Sequence, residues 1–96
     1  MVRLSREQRR DAEARHAAAI SKAVCSLTAA QTERAKLETA AMGARATLES
    51  TDDRKAALEA WTVLRRCVRD IPSARQSERE RQAALNRLRG DFVVIA

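Results

Sequence analysis

His16, Cys25 and Cys67 are the side chains of this chain best suited to hold a metal or act as a nucleophile. Zinc sites pair their ligands two to five residues apart. Here the intervals are nine and forty-two residues. A general base also needs an orienting partner and a substrate pocket, and nothing in the sequence supplies either. His16 therefore reads as an interface or surface residue, and both cysteines as small buried hydrophobes. Asp52 and Asp53 form a carboxylate pair, which a helix start accounts for. No phosphate-cradling glycine loop, Gly-x-Ser-x-Gly or dinucleotide fingerprint is present. The expectation is a protein with no catalytic residue, no metal, no cofactor and no small-molecule substrate.

Arginine is the other chemistry on offer. Arg65, Arg66 and Arg69 cluster beside Trp61, Arg75, Arg79 and Arg81 form a second group, and Arg87 and Arg89 a third. Arginines on one helix face can hold phosphates or an acidic protein. Glu78 and Glu80 interrupt the second group, however, and Asp70 follows the first. With two aromatic residues in the chain, stacking on bases has almost nothing to work with. Nucleic acid is thus the second reading, with Arg65, Arg66, Arg69, Arg75 and Arg79 as its contacts, and solvated helix surface is the commoner cause of such charges.

The composition says what must position these groups. Net charge is +6, with bases and acids spread evenly over both halves of the chain, so no dedicated basic tail exists. The apolar fraction is 45%, but 20 of those residues are alanine, the best helix former. Only 18 are Leu, Ile, Val or Phe, few for a compact globule. Two glycines and one proline leave few helix breaks. The longest apolar runs, residues 17–20 and 92–96, are far short of the ~20 needed to cross a bilayer. No secretory or transit pattern stands at the N-terminus. Two distant cysteines make no disulfide framework, so a cytoplasmic protein without membrane contact is expected.

Ser5 with Gln8 fits a capping box and predicts a first helix from about residue 6 to 49, which Gly43 weakens without ending. Residues 50–53, Ser-Thr-Asp-Asp, are all helix N-cap formers and mark a turn. A second helix is expected over about 53–70. Pro72 is expected to end it by forcing Ile71 out of helical geometry. Ser73 with Gln76, or Ser77 with Glu80, would then start a third helix over about 74–89, with Gly90 as its left-handed cap. Residues 91–96 form an apolar tail, strand-like by composition.

One stripe ties the first helix to the second. Ile20, Ala23, Leu27, Ala30, Arg34, Leu37, Ala41, Ala44 and Leu48 follow one another at steps of three and four, and only Arg34 is polar. Ala57, Trp61, Leu64, Val68 and Ile71 show the same alternation. A short turn between them makes the helices antiparallel, with Trp61 in the core near Ala40 and Ala41; an exposed Trp61 would instead be a binding anchor. The fold class is therefore all-α, a single domain over 1–96: a coiled-coil-like antiparallel hairpin with a third, shorter helix and an apolar tail.

A third helix continuing in line would oppose the charged segment 75–81 to Ile20, Val24 and Leu27, and oppose Leu85, Leu88 and Phe92 to His16, Glu13 and Arg9. Both matches are poor. Ile20, Val24, Leu27, Leu85, Leu88, Phe92 and Val94 are thus the expected contacts to a partner. The function expected is non-enzymatic: an adaptor, chaperone, inhibitor or subunit that binds a protein, a second copy of itself, or both.

Overall fold

The computed structural model describes the backbone of residues 5–95 and the side chains of residues 5–90. It is an antiparallel pair of long helices, α1 (Arg6–Ser50) and α2 (Arg54–Ile95). The hairpin measures 73 × 17 × 14 Å. At 1.5 Å rise per residue the 45 residues of α1 alone account for about 68 Å of that length. Among the described residues no helix is long and apolar enough to cross a membrane.

Local chemistry sets three of the four ends. The Ser5 hydroxyl accepts from the Gln8 backbone N–H (3.1 Å) while Gln8 Oε1 accepts from the Ser5 N–H (2.9 Å), the expected reciprocal box. Thr51 leaves helical geometry at φ −96°, ψ 140°, while its N–H still donates to the Thr47 carbonyl. In the turn, Thr51 Oγ1 accepts from the Asp53 N–H and Asp53 Oδ1 accepts from the Lys55 N–H, each at 3.1 Å. Asp53 thereby caps the start of α2, where its charge also suits the helix dipole.

Gly43 does not interrupt α1. A methyl group added there would meet nothing within 4 Å. Gly43→Ala is therefore expected to stabilise the chain by about 0.5–1 kcal/mol, because alanine has less backbone freedom to lose. Urea unfolding followed by far-UV circular dichroism checks the sign.

Past Pro72 the structure departs from expectation. α2 runs through the proline to Ile95, so segments 53–70 and 74–89 belong to one helix. Neither proposed capping box at Ser73 or Ser77 is used; the Gln76 side chain donates to Glu80 Oε1 instead (3.2 Å). No glycine has a positive φ, so Gly90 is an ordinary helical residue rather than a cap. The backbone of 91–95 is helical, not strand-like. The side chains of Phe92 and Val94, and all of Ala96, lie outside the described residues.

A proline inside a helix costs about 3 kcal/mol through a lost hydrogen bond and a ring clash. Continuation in line offsets this by keeping α2 against the first half of α1. A break would strip residues 5–30 of their lateral partner. In proteins most helical stability comes from packing of one face against a neighbour rather than from propensity.

The seam of α1 is the one predicted. All nine positions from Ile20 to Leu48 are buried or half-buried. On α2 the seam is Ala57, Ala60, Leu64, Cys67, Ile71, Ala74, Glu78, Arg81, Leu85 and Leu88, an unbroken alternation of three and four. Ala57, Leu64 and Ile71 were expected there. Trp61 and Val68 were also expected, but they stand outside at 51% and 64% exposure, and Ala60 and Cys67 take their places. Ala30 and Ala44 of α1 are likewise buried. Small residues on both helices let the backbones approach closely, and an indole between them would force the helices apart.

Candidate interaction surface

The charged segment of α2 lies within the seam, and its side chains satisfy each other across it. Arg34 Nε and Nη2 donate to the Glu78 carboxylate, and Arg34 Nη1 donates to Glu38 Oε2 (3.0 Å). Arg75 Nη2 donates to the other oxygen of Glu38 (3.1 Å). Arg81 Nη1 donates to the Ser26 carbonyl oxygen (2.8 Å). The hydrogen bond and charge of Glu78 raise the Arg34 pKa further above its ordinary value, with a smaller contribution from Glu38. Arg34, the one polar residue of the α1 stripe, thus has its partners on the opposite helix and on its own next turn. The ladder fixes register, because the neighbouring heptad levels are apolar and offer a guanidinium nothing to bind.

Antiparallel continuation changes the standing of the expected partner contacts. Leu27 and Leu85 are 8% and 2% exposed, and Ile20 and Leu88 are half-buried, all within the hairpin seam. They hold the two helices together instead of being left over. Val24 stands out at 39% exposure. The poor match anticipated for 75–81 disappears because long polar side chains reach across to partners several residues further along, as Arg81 does to Ser26.

Four of the six exposed large apolar side chains among the described residues lie on the half of α2 nearest the turn, Val63 (42%) standing apart from the other three. Leu58, Trp61 and Val68 are 58%, 51% and 64% exposed. With Arg65 they stand at positions 58, 61, 65 and 68, a second three-four alternation displaced one position from the seam. Trp61, Val68 and Arg75 are spaced seven apart and so share one column of the helix. Arg75 reaches over to Glu38, and it lines a shallow groove with Ala41, Met42, Arg45 and Ile71. Met42 is 73% exposed and stands on the same side of the hairpin as Trp61 and Val68. The sequence carried this signal in the 58-61-65-68 spacing. Assigning Trp61 and Val68 to the core obscured it.

The basic cluster overlaps that stripe, with Arg65 in it and Arg66 and Arg69 beside it. Arg65, Arg66 and Arg69 are exposed and surround a shallow depression with Thr62. Arg69 also pairs with Asp70 (3.1 Å). Arg75 is engaged by Glu38, and Arg79 is exposed beside the Arg34–Glu78 ladder. The five arginines expected to act together therefore fall into a group at 65–69, where Arg69 pairs with Asp70, and a group at 75–79, where Arg75 pairs with Glu38.

His16 is half-buried in the first third of α1. Cys67 is buried as expected, whereas Cys25, also expected to be buried, is exposed. Cys25 lies off the α1 stripe, and Cys67 sits between Leu64 and Ile71 on the seam of α2. Among the described residues no three His, Cys, Asp or Glu side chains stand close enough to hold a metal ion. The two thiols should separate on labelling with a disulfide reagent. Cys25 is expected to react within the mixing time of a manual assay, and Cys67 only as fast as the hairpin opens. Equal rates in the native protein would place both thiols in the same environment, against this seam.

Comparison with family models, with curated proteins and with solved structures finds no match for this chain.

Proposed function

We propose that this protein is a non-enzymatic interaction module, a rigid helical rod that serves as adaptor, chaperone, inhibitor or subunit of a larger protein assembly. The observation that carries the reading is the solvent-exposed stripe of Leu58, Trp61 and Val68 on a seam that is already complete without them. Tryptophan is enriched among the residues that dominate binding energy at interfaces. Its exposure beside two other large aliphatics is costly in a protein that works alone.

Shape supports the same reading. The accessible surface is 7847 Å². A compact monomer of 10.7 kDa exposes about 5,500 Å² by the usual mass scaling. The radius of gyration is 21.5 Å, against about 12.5 Å for a globule of this length. The excess of roughly 2,300 Å² exceeds the ~800 Å² that each partner buries in a standard interface. The grooves along the rod are shallow and open to solvent.

The test is the mass of the species isolated from its own cells under native conditions. A mass well above 10.7 kDa by light scattering, with a stoichiometric protein component, is expected. A monomer at every concentration, with nothing bound, overturns the reading.

A second reading, a basic helical module for DNA or RNA, draws on the exposed Arg65, Arg66 and Arg69. It calls for affinity that survives physiological salt and falls steeply above it. The interaction module calls for early elution from a heparin column.

A further inference from the structure

Resting on that reading, we infer that the Leu58–Trp61–Arg65–Val68 stripe of α2 is the docking face for an acidic amphipathic helix of another protein. Three observations bear on the occupant. The first is spacing. Positions 58, 61, 65 and 68 repeat at three and four, the ridge that a partner helix meets with its own i, i+3, i+4 and i+7 positions. The stripe therefore fits a helix better than a strand or an extended peptide.

The second observation is charge. Between residues 54 and 69 the exposed ionisable side chains are Arg54, Lys55, Arg65, Arg66 and Arg69 against Glu59. Asp70, just beyond, is engaged by Arg69. Glu38, across the groove from Ile71, is occupied by Arg34 and Arg75. A helix laid on this stripe meets Leu58, Trp61 and Val68 along its length, with the Arg65 guanidinium among them and those of Arg66 and Arg69 beside them. Glutamates flanking the apolar positions of the partner complete those charges and set its orientation.

The third observation concerns a second copy. An isologous pair brings the same patch against itself. A two-fold axis at the middle of the stripe sets Leu58 against Val68 and Trp61 against Arg65, but it brings together two surfaces that each carry five bases against one acid between residues 54 and 69. Each chain also carries a net charge of +6. Self-pairing through this face is therefore opposed by the charges that would attract an acidic helix. A nucleic acid would satisfy the arginines but would leave Leu58 and Val68 against a charged backbone.

The probe is a fluorescein-labelled 21-residue peptide with leucine at the two core positions of each heptad and glutamate beside them. Its control carries lysine in place of every glutamate. Anisotropy measured on the full chain is expected to show binding of the acidic peptide and at least a tenfold weaker response to the lysine peptide. Trp61→Ala and Val68→Ser should each weaken the acidic peptide about tenfold or more, the loss typical of a central anchor. Both positions are exposed, so thermal unfolding of these variants should match the parent. Arg65→Glu combined with Arg69→Glu should reverse the preference between the two peptides.

Equal affinity for both peptides, or acidic-peptide binding that Trp61→Ala leaves unchanged, overturns the proposal. A concentration-dependent doubling of mass abolished by Trp61→Ala assigns the stripe to a second copy and also overturns it. So does a single-stranded oligonucleotide that displaces the peptide and holds through physiological salt. Failure of the broader reading looks different. If the native complex survives Trp61→Ala, only this docking face is wrong. If no native complex exists, the interaction role itself falls.

Discussion

Leu85→Ala is expected to lower the stability of the hairpin by about 2–4 kcal/mol, the range for a buried leucine whose cavity does not collapse. Leu85 is the most buried of the described core residues, at 2% exposure. Among the described residues the core holds six, three of them alanine, and has little else of its size to compensate. For a chain of this length such a loss moves the thermal midpoint by roughly 10–20 °C. The effect should also be local. A two-helix rod packs level by level, so the end away from the turn can open without the rest. Hydrogen exchange should accordingly speed up around residues 16–27 and 80–90 before it changes near the turn. Val68→Ala, at a 64% exposed position, should remain within about 0.5 kcal/mol of the parent. Equal destabilisation by the two substitutions would mean that Val68, not the 60–67 flank, faces α1.

Pro72→Ala is expected to act in the opposite direction, with a gain of about 2 kcal/mol. Pro72 stands exposed inside α2. Without an N–H it cannot donate to the Val68 carbonyl one turn earlier. Alanine restores that bond and removes the ring clash, worth about 3 kcal/mol in a helix interior. Part of the gain is lost because proline also restricts the unfolded chain, by about 0.4–1 kcal/mol. Urea unfolding should show a higher midpoint, with helical ellipticity unchanged or slightly increased. A neutral or destabilising result would indicate a helix break at residues 71–72, and α2 would then be two elements.

These two substitutions bracket what the chain itself specifies. Its helical character, the capping box at Ser5 and Gln8, a turn within 50–53 and the stripe from Ile20 to Leu48 were all legible, because each depends on nearest neighbours or on the 3.5-residue repeat of one helix. Antiparallel pairing followed from the shortness of the turn. Cys67 was legible as a buried residue, although the same reasoning misplaced Cys25.

Three features depended on tertiary structure. The first is the flank of α2 that faces α1. Residues 57, 64 and 71 belong to both the 57-61-64-68-71 and the 57-60-64-67-71 alternations, so periodicity alone cannot choose between them. Hydrophobicity favoured Trp61 and Val68. Close approach to the alanines of α1 favours Ala60 and Cys67, because the space between two backbones is a property of the pair. The second is the passage through Pro72, where a local cost is outweighed by burial and ion pairing more than thirty residues away along the chain. The third is the docking face itself. Sequence reasoning sought leftover apolar surface at the open end, where Leu27 and Leu85 turn out to be core. The exposed stripe appears only once the second helix is fixed in rotation, since a side chain is surplus only relative to the partner that has already been served. Local pattern determined which helices form, and the mutual fit of their surfaces determined which residues were left facing water.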